Sequence, residues 1–425
     1  MSAIPPVLFP RLPRRWVFFT WPRICAASLK ARSRLLNQRL HNVDDAEVAR
    51  QIAAFEPDIV GLSSLTPSAH HLPWLTQTLA WQLPNALIVL GGPHVSTFGA
   101  ETLKMTAAHV AVPGEGELAL CAIIEAFCNG ENFSTIPGIF WKDKNNEVIE
   151  NPGFMPLISD LDSLPMPAYD LIDIRQYWKR QSFAEVPRRR YISLFSSRGC
   201  PYGCIYCHRI FGRSYRPHSA ERIVDEIKFF QKQYGIADFE FLDDIFNLDR
   251  KRIFAFSELI AKENIKIKIM FPNGVRTDIL EPDEINALVQ SGLCLSAFAL
   301  ESGSPRIQKY IGKNLNIERF LRNVELATRR GVFGHGFAMV GFPTETEKEM
   351  QETIAVACQS RLHTLSCFIV TPFPNTDLFH IAQKTHAEQL KQINYSDMGS
   401  GQSGAPVLMI SAINLLRMVP NFRSK

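Results

Sequence analysis

The chain has 425 residues, 46% hydrophobic and 21% charged, with a formal net charge of +4. That length implies two or three domains of about 150 residues, each with a sizeable core, and the composition excludes a disordered chain. Nine cysteines are too few and too scattered for a disulfide scaffold. No run of about 18 apolar residues suggests a membrane-spanning helix, so no membrane span is expected. The small net charge gives no reason to expect nucleic acid as a partner. A cytoplasmic multidomain protein is the expectation.

Charge is unevenly placed. Residues 1–40 hold Arg11, Arg14, Arg15, Arg23, Lys30, Arg32, Arg34 and Arg39 with no acidic residue. Arg14-Arg15 before Trp16-Val17-Phe18-Phe19 has the outline of a twin-arginine signal. Pro22, Arg23 and Lys30 break the apolar run that a signal needs, so 1–43 reads as a basic arm with a short first strand.

From 44 to 130 apolar runs alternate with amphipathic stretches. Ile59-Val60-Gly61-Leu62 ends in Ser63-Ser64, Leu87-Ile88-Val89-Leu90 in Gly91-Gly92-Pro93, and His109-Val110-Ala111-Val112 in Gly114-Glu115-Gly116-Glu117. Short apolar strands closed by Gly or Ser turns read as parallel βαβ units, whose ligands sit at the carboxyl ends of the strands. Residues 131–190 are rich in Pro, Asp and Asn and read as a surface linker. Six strands are then expected at 191–197, 238–245, 267–275, 294–302, 334–343 and 364–373, separated by helices. The clearest helix starts after Ser219 as N-cap, with Ile223, Ile227 and Phe230 on one face. Six βα units in series imply an incomplete TIM-like barrel over 191–385. Residues 386–425, broken at Gly399-Ser400-Gly401, read as a tail.

The strongest signal is Arg198-Gly199-Cys200-Pro201-Tyr202-Gly203-Cys204-Ile205-Tyr206-Cys207-His208. The other six cysteines, Cys25, Cys121, Cys128, Cys294, Cys358 and Cys367, are dispersed, and Cys294 and Cys367 are expected as buried free thiols in strands. Three thiolates on one loop are a soft, negative cage that suits an iron–sulfur cluster or zinc. Four readings stand: a four-iron cluster with one iron open, zinc with Cys200, Cys204, Cys207 and His208, covalent haem at Cys204-Ile205-Tyr206-Cys207-His208, and reduced cysteines without metal.

Cys-x3-Cys-x2-Cys with an aromatic residue before the last cysteine resembles the radical S-adenosylmethionine (SAM) enzymes. The resemblance implies a 4Fe–4S cluster on Cys200, Cys204 and Cys207, with SAM chelating the open iron. Reductive cleavage of SAM would then give a 5′-deoxyadenosyl radical that takes hydrogen from a small-molecule substrate. It implies further cofactor contacts. Tyr206 belongs to the motif. Asp243-Asp244 stands at the SAM amino group in place of the family's usual Gly-Gly-Glu. Glu301, with Ser302, stands at the ribose hydroxyls, and Gly341 lies where backbone meets adenine. Asn375 replaces a common glycine and tolerates a left-handed turn. Arg276 and Asp278 are possible contacts or plain loop residues.

Upstream, Ser63-x-Leu65 and, 25 residues on, Gly91-Gly92 resemble the distal half of the cobalamin-binding pattern, and Gly114-Glu115 fits the same branch. The resemblance implies a Rossmann-like (flavodoxin-like) cobalamin domain over 44–130, in an α/β chain with the partial barrel behind it. Where an Asp-x-His-x-x-Gly half would fall, the chain reads Trp16 to Trp21, so cobalt without a protein histidine is implied. His70, His71 and His94 read as polar lining residues. The expected activity is cobalamin-dependent methyl transfer to an unactivated carbon, with flavodoxin or ferredoxin as electron donor. The alternatives are a radical SAM cyclase or oxidoreductase without methyl transfer, and a non-catalytic cluster- or cobalamin-binding relative.

Overall fold

The computed structural model describes residues 15–18, 32–179, 182–184, 186, 190–393 and 395. The twin-arginine reading and the tail beyond 395 lie outside them. The described residues form two compact units. One runs to 159 and includes 163–177 and 395; the other holds 160–162 and 178–393.

The first unit is built on a seven-stranded sheet of order β2-β1-β3-β4-β5-β6-β7. Its strands are β1 (Arg15–Phe18), β2 (Arg32–Leu35), β3 (Ile59–Ser63), β4 (Leu87–Gly91), β5 (Val110–Ala111), β6 (Phe140–Lys142) and β7 (Val148–Glu150). The first five are parallel, and β6 and β7 extend the sheet antiparallel. The basic arm, read as a basic segment or a trimmed start of this domain with a short first strand, supplies β1 and also β2 to its sheet. The β6–β7 pair falls inside the stretch read as linker. The strands β6 and β7 are three residues each, too short for periodicity to register.

Helices α1 (Asp45–Ala53), α2 (Leu72–Gln82), α3 (Pro93–Lys104) and α4 (Glu117–Asn129) cover the sheet. Val60, Leu62, Ile88 and Leu90 share a core with Val48 and Ile52 of α1, Leu75 and Leu79 of α2 and Val95 and Leu103 of α3. The alternate positions Ile59, Leu87, Val89 and Val110 pack with Leu120, Ile123 and Ile124 of α4. Burial on both faces explains why β3 and β4 are continuously apolar rather than alternating.

The second unit carries a six-stranded parallel sheet, order β15-β14-β13-β12-β11-β8. The strands are β8 (Tyr191–Leu194), β11 (Asp238–Phe241), β12 (Lys268–Val275), β13 (Leu293–Glu301), β14 (Phe333–Val340) and β15 (Thr364–Ile369). All six expected strands exist, and their order in the sheet is their order in the chain, as an open βα barrel requires. Two short strands, β9 (Ser197–Arg198) and β10 (Arg216–Pro217), pair antiparallel across the cysteine loop.

The helices are α5 (Ala220–Tyr234), α6 (Arg250–Lys262), α7 (Pro282–Gln290), α8 (Pro305–Tyr310), α9 (Ile317–Arg329), α10 (Glu347–Gln359) and α11 (Asp377–Thr385). Ser219 caps α5 as expected, accepting the Arg222 N–H. Phe241 of β11 and Phe271 of β12 pack with Phe246 and with Phe256 of α6, the Phe246 and Phe271 ring centroids 4.5 Å apart. Cys294 is half-buried and its thiol donates to the Ile269 carbonyl, while Cys367 is exposed. The expectation of a buried Cys367 fails because β15 is an edge strand with only one neighbour in the sheet. Among the described residues no helix is long and apolar enough to cross a membrane.

Candidate functional site

The cysteine loop leaves β8 through Ser196, and a buried carboxylate organises the departure. Asp243, at the end of β11, accepts the Ser196 and Ser197 N–H groups at 2.6 Å each and the Ser196 hydroxyl at 2.7 Å. Arg252 of α6 spans the same spot. It donates to the Ser196 carbonyl at 2.9 Å, the His218 carbonyl at 3.0 Å and the Tyr215 hydroxyl at 2.9 Å, and it lies 4.8 Å over the Phe246 ring. Burial pushes the Asp243 carboxyl up, against the pull of Arg252 and the Ser196 and Ser197 donors.

The loop then turns sharply at Gly199, φ 81°, where a Cβ would stand 2.3 Å from the Ser214 carbonyl oxygen; only glycine fits. Cys200 N–H donates to Gly212 O, Ile205 N–H to Ile311 O, and Leu378 N–H to Ile205 O at 2.8 Å. These bonds tie the loop to the ends of α8 and α11. Tyr206 packs among Ile307, Ile311, Phe342, Val370 and Leu378, with its ring 5.9 Å from that of Phe342.

Cys200, Cys204 and Cys207 are mutual electrostatic neighbours on this frame. Burial pushes the Cys207 thiol up to about 12, reinforced by Cys204, Cys200, Asp244 and Glu301. Bare thiolates are therefore costly here, and a cationic centre is what the donor set calls for. No three His, Cys, Asp or Glu side chains among the described residues converge on a single ion. In a four-iron cube each of three thiolates would take its own iron, so the three sulfurs need not converge on a single ion.

Asp243 and Asp244 divide in direction. Asp244 is exposed on the cluster side, accepts the Gly199 N–H and feels His208. Glu301 ends β13 at φ 62° and is buried. Lys313 donates to its Oε1 at 3.1 Å and to the Ala299 carbonyl at 2.7 Å. Ser302 turns away toward α10, its hydroxyl 3.3 Å from that of Thr353. Gly341 N–H and Phe342 N–H donate to Glu345 Oε2, which shapes the turn after β14. Burial pushes the Glu345 carboxyl up to about 7.

Thr344 in that turn adopts φ 68°. A β-branched residue in the left-handed region costs about 1–2 kcal/mol. Thr344→Gly is expected to stabilise the protein by about 1 kcal/mol, read as a rise of roughly 2 °C in Tm. An unchanged or lower Tm would mean that the exposed Arg306 contact to the Thr344 hydroxyl at 3.1 Å matters more than the strain.

In the first unit, β3 and β4 end side by side. Gly92 has φ 89°, and a Cβ there would stand 2.5 Å from Ser63 Oγ and 3.0 Å from the Ser64 backbone. Gly91 closes β4, with its carbonyl accepting the Ser64 N–H. Ser64 Oγ is buried and meets no protein partner, while Leu65 is 58% exposed. Ser96 Oγ accepts the Gly114 N–H at 2.9 Å and joins the next strand end to this one. This strand-end recess thus depends on glycine at 92, where a side chain would strike Ser63 and Ser64, and it carries an orphaned hydroxyl, which fits a ligand that brings polar atoms. Glu115 instead points into the protein, with its carboxylate accepting the Ile158 N–H. His71 bonds Asp45, His70 the Pro67 carbonyl, and His94 lies 3.4 Å from Thr66 Oγ1.

Comparison with known proteins gives two domain matches: the radical SAM superfamily over residues 194–357 and a B12 binding domain over 23–124. An uncharacterized methyltransferase of Pyrococcus horikoshii is 32% identical over 341 residues, 79% of this chain and 72% of that one. The chain belongs to the radical SAM superfamily, in its B12-binding branch.

Cytidylyl-2-hydroxyethylphosphonate methyltransferase of Streptomyces wedmorensis is 26% identical, over 80% of this radical SAM chain and 69% of its own. In fold, the chain resembles the radical SAM methyltransferase TsrM from Kitasatospora setae, solved with cobalamin and a 4Fe–4S cluster. The TM-score is 0.70 at 16% identity, covering 88% of this chain and 78% of that one. The radical SAM domain brings a 4Fe–4S cluster and SAM as cofactors, and the B12-binding domain brings cobalamin.

Sequence reasoning missed three groups of this radical SAM site. Lys313 and Arg252 come from a loop and a helix face without motif. Glu240 looks like any strand residue. Arg276, read from sequence as a possible contact or a plain loop residue, holds its guanidinium 3.8 Å over the Tyr202 ring and is bonded to Asp278.

The recess yields a direct test. Gly92→Ala is expected to cost about 2 kcal/mol of stability and to remove cobalamin from the purified protein. Thermal unfolding and the cobalamin absorbance read the two effects separately. Full cobalamin retention would mean that the cofactor does not use this turn.

Proposed function

We propose that this chain transfers a methyl group to an unactivated carbon of a small-molecule substrate, as a cobalamin-dependent radical SAM enzyme. One observation carries the reading: the Cys200–Cys204–Cys207 loop and the recess of Ser63, Ser64 and Gly92 occur in one chain, each at the carboxyl ends of a parallel sheet. Bound together, the cluster, SAM and cobalamin supply an electron, a hydrogen-abstracting group and a methyl carrier.

The protein's part is to hold and orient. Cys200, Cys204 and Cys207 take the irons. Asp244 accepts from the SAM amino group and Glu301 from the ribose hydroxyls. The Gly341 turn offers its backbone to adenine. Ser63 and Ser64 hydrogen-bond the cobalamin tail between Leu65, Gly91 and Gly92, with Gly114 at the neighbouring turn. Asp243, Ser302 and Glu115, whose carboxylates and hydroxyl are spent on the protein, act as positioning residues. A small flavodoxin or ferredoxin supplies the electron, and the reducing cytoplasm suits such thiolate-held iron.

A second reading has support among relatives. Anaerobic magnesium-protoporphyrin IX monomethyl ester cyclase of Rubrivivax gelatinosus is 25% identical over 84% of this chain and 64% of its own. Anaerobic reconstitution with iron, sulfide and cobalamin, then SAM carrying a labelled methyl group and a reductant, separates the two. Deoxyadenosine with label in a carbon-bound product supports methyl transfer. Deoxyadenosine with a product free of label selects the cyclase class. Absence of deoxyadenosine overturns both.

A further inference from the structure

The barrel interior has a floor, a wall and a rim of different chemistry. At the floor, the register aligns Ser193, Glu240, Met270, Leu295 and Phe333 across five strands. Glu240 is fully buried and satisfied: it accepts the Ser193 hydroxyl at 2.9 Å and the Ala184 N–H at 3.0 Å. Ala184 and Val186 pack with Met270, Leu295 and Phe333 and close the amino-terminal end. At the rim stand Asp244 and the Glu301–Lys313 pair.

Between floor and rim, the alternation that puts Ser193 and Glu240 inside brings Phe195 and Leu242 to the same side just past their strands. The other inward positions are the Pro272–Gly274 bulge, Ala297 and Ala299, His335, Phe337 and Met339, and Thr364, Ser366 and Phe368. Among these positions there is no Lys, Arg, Asp or Glu. His335 is held by the Thr364 hydroxyl at 2.7 Å. Phe195 is 49% and Phe368 50% exposed, although both lie at inward positions. Phe337 and Phe368 face each other at 6.0 Å, and Phe195 meets Phe211 at 6.2 Å. Asn273 supplies one amide, whose Nδ2 donates to the Leu242 carbonyl and whose Oδ1 remains as an acceptor.

Rings left half-open on a wall without charge mark a ligand surface rather than a core. A phosphate or carboxylate placed there would lose its water and meet no cation. We propose that the end of the substrate entering this barrel is an uncharged aromatic or fused-ring carbon skeleton, gripped by Phe195, Phe337 and Phe368, with at most a hydroxyl or N–H for Asn273. The inference rests on the proposed function, since it describes the substrate of that same site.

The test is equilibrium dialysis of the reconstituted full-length protein with SAM, against N-phenyl-1-naphthylamine as apolar probe and cytidine 5′-monophosphate as charged one. The apolar probe is expected to bind and the nucleotide not. Phe195→Ser and Phe368→Ser are each expected to weaken probe binding about five- to tenfold, the loss of part of one ring's contact. Both side chains are half-exposed, so circular dichroism should show folded variants. Trp81→Ser, on an 80% exposed residue of the first unit, controls for adhesion elsewhere and should change nothing. Nucleotide binding as tight as that of the probe overturns the proposal. So does unaltered binding in both Phe variants, or equal loss in the Trp81 variant. Deoxyadenosine formation in the same preparation keeps the two failures apart: if it persists while the probe is ignored, only the substrate class falls.

Discussion

Cys204→Ala abolishes deoxyadenosine formation, and reconstituted protein then carries iron well short of a full cluster. The expectation follows from the loop's construction. Cys204 sits between Ile205 N–H, bonded to Ile311, and Gly203, whose carbonyl crowds Gly312. The backbone there has its place with or without metal, so loss of one thiol removes a ligand and leaves the frame. Two thiolates cannot hold the three irons that a SAM-binding cube presents to protein. Iron analysis, the visible absorbance of the cluster and chromatographic assay of deoxyadenosine read the outcome independently. Turnover at the native rate would place the chemistry elsewhere in the chain. Cys367→Ala is the matched control. That thiol is exposed on the edge strand β15, away from the cysteine loop in sequence, so its loss should leave both iron content and product unchanged.

Much of this was legible because the signals were local or periodic. The cysteine spacing carries the resemblance to the radical SAM enzymes within eight residues. The six barrel strands show as apolar runs at near-regular intervals, and Ser219 announces α5 by cap chemistry. Asn375 at φ 63° occupies the left-handed turn that its side chain tolerates. What escaped was of another kind. β6 and β7 are three residues each and gain their identity only by pairing with β5. Lys313 meets Glu301 across 12 residues of sequence, through α8 and its turn, and no pattern marks that distance. The Asp243-Asp244 pair shows the limit most clearly. Sequence presents two equal carboxylates, and only the alternation at the end of β11 sends one into the protein and the other toward the cluster.

That divergence makes the second large prediction. Asp243→Asn is expected to cost about 3–5 kcal/mol, a large share of the 5–15 kcal/mol that typically holds a domain folded. Asparagine keeps the shape but removes the charge that balances Arg252, itself only 6% exposed. Its amide also turns two donors toward Ser196, where the carboxylate accepts the hydroxyl at 2.7 Å. The released strand end is the root of the cysteine loop, so cluster occupancy should fall together with stability. Asp244→Asn should behave oppositely. Its side chain is exposed and engages only the Gly199 N–H among backbone donors, so unfolding should shift by less than about 0.5 kcal/mol. SAM affinity should drop instead, with iron content near normal. Denaturant unfolding, iron analysis and SAM titration on the two variants decide the matter. A stable Asp243→Asn protein with full cluster would show that Arg252 is balanced by its carbonyl acceptors alone. Equal SAM affinity in Asp244→Asn would remove that carboxylate from the amino-group site.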